Sequence, residues 1–189
     1  MPTYYFDIET DVEGRERPNP LKDKIVTLQF QPIWDDTGNT KGPLTILKSW
    51  ESSEKEIIIE FLQLAGWGEN PRRVWDFIPV GVNLWYDLLV LVSRCKKVLN
   101  VDIPLEFLVG QLPKIDLKAV LILANHGKFK GSGLDKFTSK NKTGLHASRA
   151  YQQQDWESLI NYIEEETEAF LELYKKAIRN IPTFIRKSD

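Results

Sequence analysis

The stretch YYFDIET, residues 4–10, places two carboxylates inside an otherwise apolar strand. Side chains alternate across a strand, so Asp7 and Glu9 project from one face. Their charges repel, and taking carboxylates out of water is costly unless something positive compensates. Alone such a pair reads most simply as one on an exposed edge; inside an apolar strand it directs attention to further groups able to share a cation with it.

The remaining 189-residue composition allows such a fold. The length suffices for a sizeable core and is expected to form one domain over residues 1–189. With 42% hydrophobic and 28% charged residues, the chain reads as a water-soluble globular protein. No apolar run is long enough for a membrane span, and the chain enters strand-like sequence with no visible secretory signal. The single cysteine, Cys95, excludes an internal disulfide and agrees with a reducing cytosol, so a cytoplasmic location is expected. A net charge of −2 argues against a general nucleic-acid coat protein. The charges are nevertheless segregated. Lys118, Lys128, Lys130, Lys136, Lys140, Lys142 and Arg149 precede an acidic run of Asp155, Glu157, Glu164, Glu165, Glu166, Glu168 and Glu172. Charge runs of this kind are usually solvated faces; together with a site of converging carboxylates, the order reads as a backbone-gripping segment followed by a metal-binding helix.

Alternating apolar residues predict a second strand over Lys24–Ile33, a hairpin turn at Asp35–Gly42 and a returning strand in PLTILKSW. Ser52 or Ser53 is placed to cap a helix over EKEIIIEFLQLAG, which Gly66 ends. RRVWDFIPVGVN contains the next buried strand, DLLVLVSRCKKVL a helix, and KIDLKAVLI a short strand and then a helix around Asp116. HGKFKGSGLDKFTSKNKTG is loop-like, with a short helix near Leu134–Ser139. DWESLINYIEEETEAFLELYKKAI is one long helix or two abutting ones, stopped before Pro182. Strands in a meander, then strands mixed with helices, predict an α/β fold with a mixed sheet flanked by helices.

Asp87, at a strand-to-helix junction after the turn residues Gly81 and Asn83, and the acidic face of the last helix are the candidates to join Asp7 and Glu9. Four converging carboxylates form an all-oxygen site that suits Mg²⁺ or Mn²⁺. One Cys and two His leave Zn²⁺ little to hold it.

In these residues the sequence resembles the DEDD (DnaQ-like) superfamily of 3′–5′ exonucleases, which have a ribonuclease H-like fold. It is most similar to the tyrosine branch, as in the proofreading domain of family B DNA polymerases. The family's Asp-x-Glu matches Asp7 and Glu9, with Thr10 following. Its Asn, three residues, then Asp matches Asn83 and Asp87. Its Tyr, three residues, then Asp matches Tyr162 and position 166, where this chain carries Glu. The extra methylene carries that carboxylate about 1.5 Å further out. Tyr151 to Asp155 is a competing match that keeps the Asp, and Glu165 is an alternative to Glu166. Neither His126 nor His146 has the spacing of the histidine branch.

The resemblance implies hydrolysis at the 3′ end of single-stranded nucleic acid, DNA ahead of RNA, with two Mg²⁺ or Mn²⁺ ions. It makes Asp7 the bridging ligand, with Glu9, Asp87 and Glu166 as the others and Tyr162 orienting the attacking water. Thr10 and Asn83 are expected at the terminal nucleotide. Trp85, Tyr86 and Phe129 could stack on bases, and Lys128, Lys130 and Lys136 could hold phosphates. Asp116 is expected to be structural. The longer Glu166 supports an alternative, a nucleic-acid-binding module weakened in catalysis. A polymerase or a repair assembly is the expected protein partner.

Overall fold

The structure is a computed structural model that describes residues 2–15, 17–67, 74–138 and 144–180. Its centre is a five-stranded sheet in the order β3-β2-β1-β4-β5. Strand β1 (Thr3–Asp11) pairs antiparallel with β2 (Lys24–Ile33), and β2 pairs antiparallel with β3 (Thr45–Lys48). On its other edge β1 runs parallel to β4 (Ile78–Gly81), which runs parallel to β5 (Ile115–Asp116). This is the mixed, helix-flanked sheet of a ribonuclease H-like α/β arrangement.

The alternation of β1 decides what lies on each face. Phe6 and Ile8 enter a core built with α1 (Glu54–Ala65) and α2 (Leu84–Arg94). There Phe6, Phe30, Phe61, Trp67 and Phe77 pack ring to ring at centroid separations of 5.0–6.4 Å. Tyr5 enters the opposite core, its ring 4.7 Å from Phe170 of α5 (Trp156–Asn180). Asp7 and Glu9 follow Tyr5 on that second face.

Local signals explain the element ends. Ser53 caps α1 by accepting a hydrogen bond from Glu56 N, and Gly66 stops it in the left-handed conformation (φ 65°). The hairpin turn forms where expected, with Trp34 N donating to Asn39 O and Gly38 N to Trp34 O, both at 2.7 Å. Arg94, near the end of α2, grips Glu54 through Nε and Nη2 at 2.7 and 2.6 Å, joining the two helices on one face.

Several expectations need correction. The helix expected from Asp87 starts at Leu84, because Asn83 turns the chain with φ 67°, and it passes into a π-helical turn at Cys95–Leu99. A second π-helical turn, Phe107–Gln111, and α4 (Gly144–Gln152) were not foreseen. Around Leu134 only a 3₁₀ turn, Leu134–Lys136, forms. The acidic helix is a single 25-residue α5. Lys140, Lys142, Ser139 and the stop at Pro182 lie outside the described residues.

Gly81 sits where β4 turns into α2. A Cβ there would lie 2.6 Å from Leu84 Cδ2 and 2.8 Å from the Phe6 carbonyl oxygen. Gly81→Ala is therefore expected to destabilise the protein by about 1–3 kcal/mol, read as a lower urea midpoint.

Candidate metal centre

Asp7 and Glu9 project from β1 toward α5, where the apolar stripe Leu159, Ile163, Phe170 and Leu173 docks the helix and turns Tyr162 and Glu166 toward the strand. Carboxylate oxygens of Asp7, Glu9 and Glu166 all come within 4.8 Å of one another. A Mg²⁺, Mn²⁺ or Ca²⁺ ion with oxygens at about 2.0–2.6 Å spans that separation, and the donors are all hard oxygens. The three side chains fit such an ion.

Asp87 approaches from the first turn of α2 and is only 5% exposed. Burial pushes its carboxyl well above the ordinary range, and the charges of Asp7 and Glu166 push it further. It stands outside the trio whose oxygens meet, yet inside their field. Tyr162, 1% exposed, hydrogen-bonds Glu166 one helical turn along α5. Burial first, and then Glu9 and Glu166, hold its hydroxyl firmly protonated. These five side chains line one cavity of about 240 Å³ together with Thr10, Asn83 and Tyr86.

The neighbours are tightly organised. Gln29, opposite Asp7 on β2 and fully buried, donates from Nε2 to Asp7 Oδ2 at 2.8 Å. Thr27 Oγ1 donates in turn to Gln29 Oε1 at 2.8 Å, which fixes the amide's orientation. The register of β1 against β2 slips between Glu9 and Thr10, a bulge of the kind that re-aims side chains beside a site. Tyr86 donates to Asp23 Oδ2 at 2.7 Å, anchoring the loop whose Pro18 forms part of the cavity wall. Asp116 accepts from the backbone N–H of Asn83 and Lys118 at 2.8 and 2.9 Å, the structural role expected of it. Gln29, Thr27 and Asp23 went unnoticed in the sequence; polar residues alternating along β2 were the available signal for the first two.

Other expected site residues stand apart. Trp85, Lys128, Lys130 and Lys136 do not line the cavity. Trp85 is 44% exposed, Lys136 pairs with its neighbour Asp135 at 3.0 Å, and the ring of Phe129 lies under Lys118 Nζ, 4.4 Å from the centroid. Asp155 caps α5 by accepting from Ser158 N at 3.0 Å, and Glu165 is exposed on the helix's outer groove. Neither belongs to the trio, and Glu166 does.

Two measurements probe this centre. The raised Asp87 carboxyl means that the metal-free native state holds a proton the unfolded chain releases near pH 4, so this group's contribution to stability falls as pH rises above that value. Asp87→Asn is expected to stabilise the metal-free protein at neutral pH by about 0.5–2 kcal/mol, with the gain shrinking toward pH 4, by denaturant titration at several pH values. Gln29→Met removes the donor to Asp7 and is expected to weaken Mn²⁺ binding about 10- to 100-fold, by calorimetry.

No family model and no curated protein sequence matches the chain. Among solved structures it is similar to the family B DNA polymerase from the hyperthermophilic archaeon Pyrobaculum calidifontis, with a TM-score of 0.66 and 19% identity. The match covers 94% of this chain and 24% of that one, so the chain spans about a quarter of that polymerase's length. At this identity the likeness is one of fold. The likeness extends to the arrangement of sheet and helices, and the capacity to hold a metal ion rests on the acidic trio itself.

Proposed function

We propose that the chain is a metal-dependent 3′–5′ exonuclease acting on the 3′ end of single-stranded nucleic acid, with residues 1–189 working as one domain. The observation that carries this reading is the meeting of Asp7, Glu9 and Glu166 oxygens in a cavity that Asp87 and Tyr162 also line. Asp7, Glu9 and Glu166 are the residues to hold one Mg²⁺ or Mn²⁺ ion, and Asp7 with Asp87 a second. Such ions supply Lewis-acid polarisation of a phosphate and a water of lowered pKa.

The chain's own groups then have distinct tasks. Gln29 fixes the plane of the Asp7 carboxylate. Tyr162 acts as a protonated donor, not as a base, because its ionisation is strongly opposed. Its bond to Glu166 holds the longer side chain in place at the centre. Thr10 and Asn83 flank the space for the terminal nucleotide, with Tyr86 as part of its wall. The cavity of about 240 Å³ is the space in which one unpaired strand end would meet these groups. Likeness to part of a DNA polymerase favours DNA over RNA, and a polymerase or repair assembly as partner.

The test is incubation of 5′-labelled DNA and RNA oligomers with the protein and Mg²⁺ or Mn²⁺. A descending ladder, abolished by Asp7→Ala and absent on closed circles, is expected. Tyr162→Phe is expected to lower kcat about 10- to 100-fold, the rate equivalent of a hydrogen bond to a charged group. Strand binding with no shortening in either metal would favour the weakened binding module instead.

A further inference from the structure

A second cavity, of about 300 Å³, adjoins the metal centre, and Val12 lines both. Strand β1 leads from one to the other: Glu9 to Val12 is three residues, about 10 Å of extended chain. Ser148 and Gln152 of α4 line this second space and donate to Asp11 Oδ1 at 3.0 and 2.7 Å, while Val12 N donates to Ser148 Oγ at 3.2 Å. These bonds pin α4 to the end of β1.

Two cations face this space, Arg15 and Arg149. The Arg15 guanidinium is held through Nη2 by Asp23, which is itself locked by Tyr86 Oη and by the N–H of Asn19 at 2.7 and 2.6 Å. Its Nε is buried and has no hydrogen-bond partner among the described residues. Arg149 is exposed and makes no ion pair among the described residues. On the outer face of α5 the charge is reversed. Asp155, Glu157, Glu164, Glu165 and Glu168 line a separate groove of about 490 Å³. A phosphate chain leaving the metal centre is repelled from that groove and drawn toward the arginines.

We propose that the second cavity is a backbone subsite for the substrate strand, in which Arg149 and Arg15 meet phosphates upstream of the terminal nucleotide. The proposal rests on the exonuclease reading and gives the task first assigned to Lys128, Lys130 and Lys136 to these two residues. Arg15 is preorganised by Asp23, whereas Arg149 supplies a mobile charge from a helix surface.

Arg149 is the residue to test, because Ala in its place suits an exposed helix position. Binding of a fluorescein-labelled thymidine hexamer and dinucleotide is followed by anisotropy against salt, with Ca²⁺ replacing Mg²⁺. Arg149→Ala is expected to reduce the slope of log K against log salt by about 0.7 for the hexamer, and Arg149→Lys to restore it. In Mn²⁺, the same Ala variant is expected to raise KM for the hexamer and leave dinucleotide cleavage unchanged. A wild-type slope in both Arg149→Ala and Arg149→Glu overturns the subsite, even if the strand is cleaved normally. A slope lost with Arg149→Ala, while no oligomer is ever shortened, upholds the subsite and removes the exonuclease reading. Salt-independent or absent binding by the wild type overturns both.

Discussion

Mutual repulsion among Asp7, Glu9, Asp87 and Glu166 is the constraint on which the rest of the structure turns. Carboxylates brought this close repel one another, and Asp87, raised first by its burial, is raised further by the charges of Asp7 and Glu166. Such a centre persists because the surrounding packing holds it there. The Phe6 ring cluster anchors one face of β1 and the Tyr5–Phe170 contact anchors the other. Each large apolar side chain so buried contributes about 1.5–3 kcal/mol, and there are many. The centre carries a concentration of negative charge, and a divalent cation held there would relieve what packing only restrains.

The acids of this protein fall into two kinds. Asp23 accepts from Arg15, Asn19 N and Tyr86 Oη; Asp116 Oδ1 from two backbone N–H groups; Asp11 Oδ1 from Ser148, Gln152 and Glu13 N. Protein N–H and O–H donors from loops and helix ends converge on them, so they build loops and helix junctions. Asp7, Glu9 and Glu166 also bring oxygens together, Asp7 while accepting from Gln29 Nε2. Convergence lets carboxylates offer a place for a metal ion, and encirclement by N–H and O–H groups makes them structural props. The second kind positions the first: Asp23 steadies the wall carrying Pro18, and Asp116 steadies the turn that presents Asp87.

Local periodicity made much of the fold legible. The alternation in β2, the Ser53 and Gly66 signals around α1, and the apolar stripe of α5 each depend on residues near one another in the chain. Helix α4 was not legible in this way. Its buried face consists of Ala147, Ser148 and Ala150, small or polar side chains that carry little hydrophobic signal until β1 lies against them. The lysines of the Gly-rich loop lie outside the cavity lining, a placement that charge density along the chain does not report. Gln29 could be seen as a polar residue in an apolar strand. Its task depends on the pairing register that sets it opposite Asp7.

By itself the sequence determined that two carboxylates share one face of an apolar first strand, that an acidic helix comes last, and that hard-oxygen ligands are the ones available. Strand alternation and helix periodicity are short-range properties, so they need no knowledge of the fold. Only tertiary structure decided that Glu166, and not Glu165 or Asp155, meets Asp7 and Glu9, that Gln29 steadies Asp7, and that Arg15 and Arg149 share a cavity next door. Those choices depend on the rotation of α5 about its axis and on which loop closes over β1. Both are set by packing between residues more than a hundred positions apart, such as Tyr5 against Phe170 and Asp11 against Ser148.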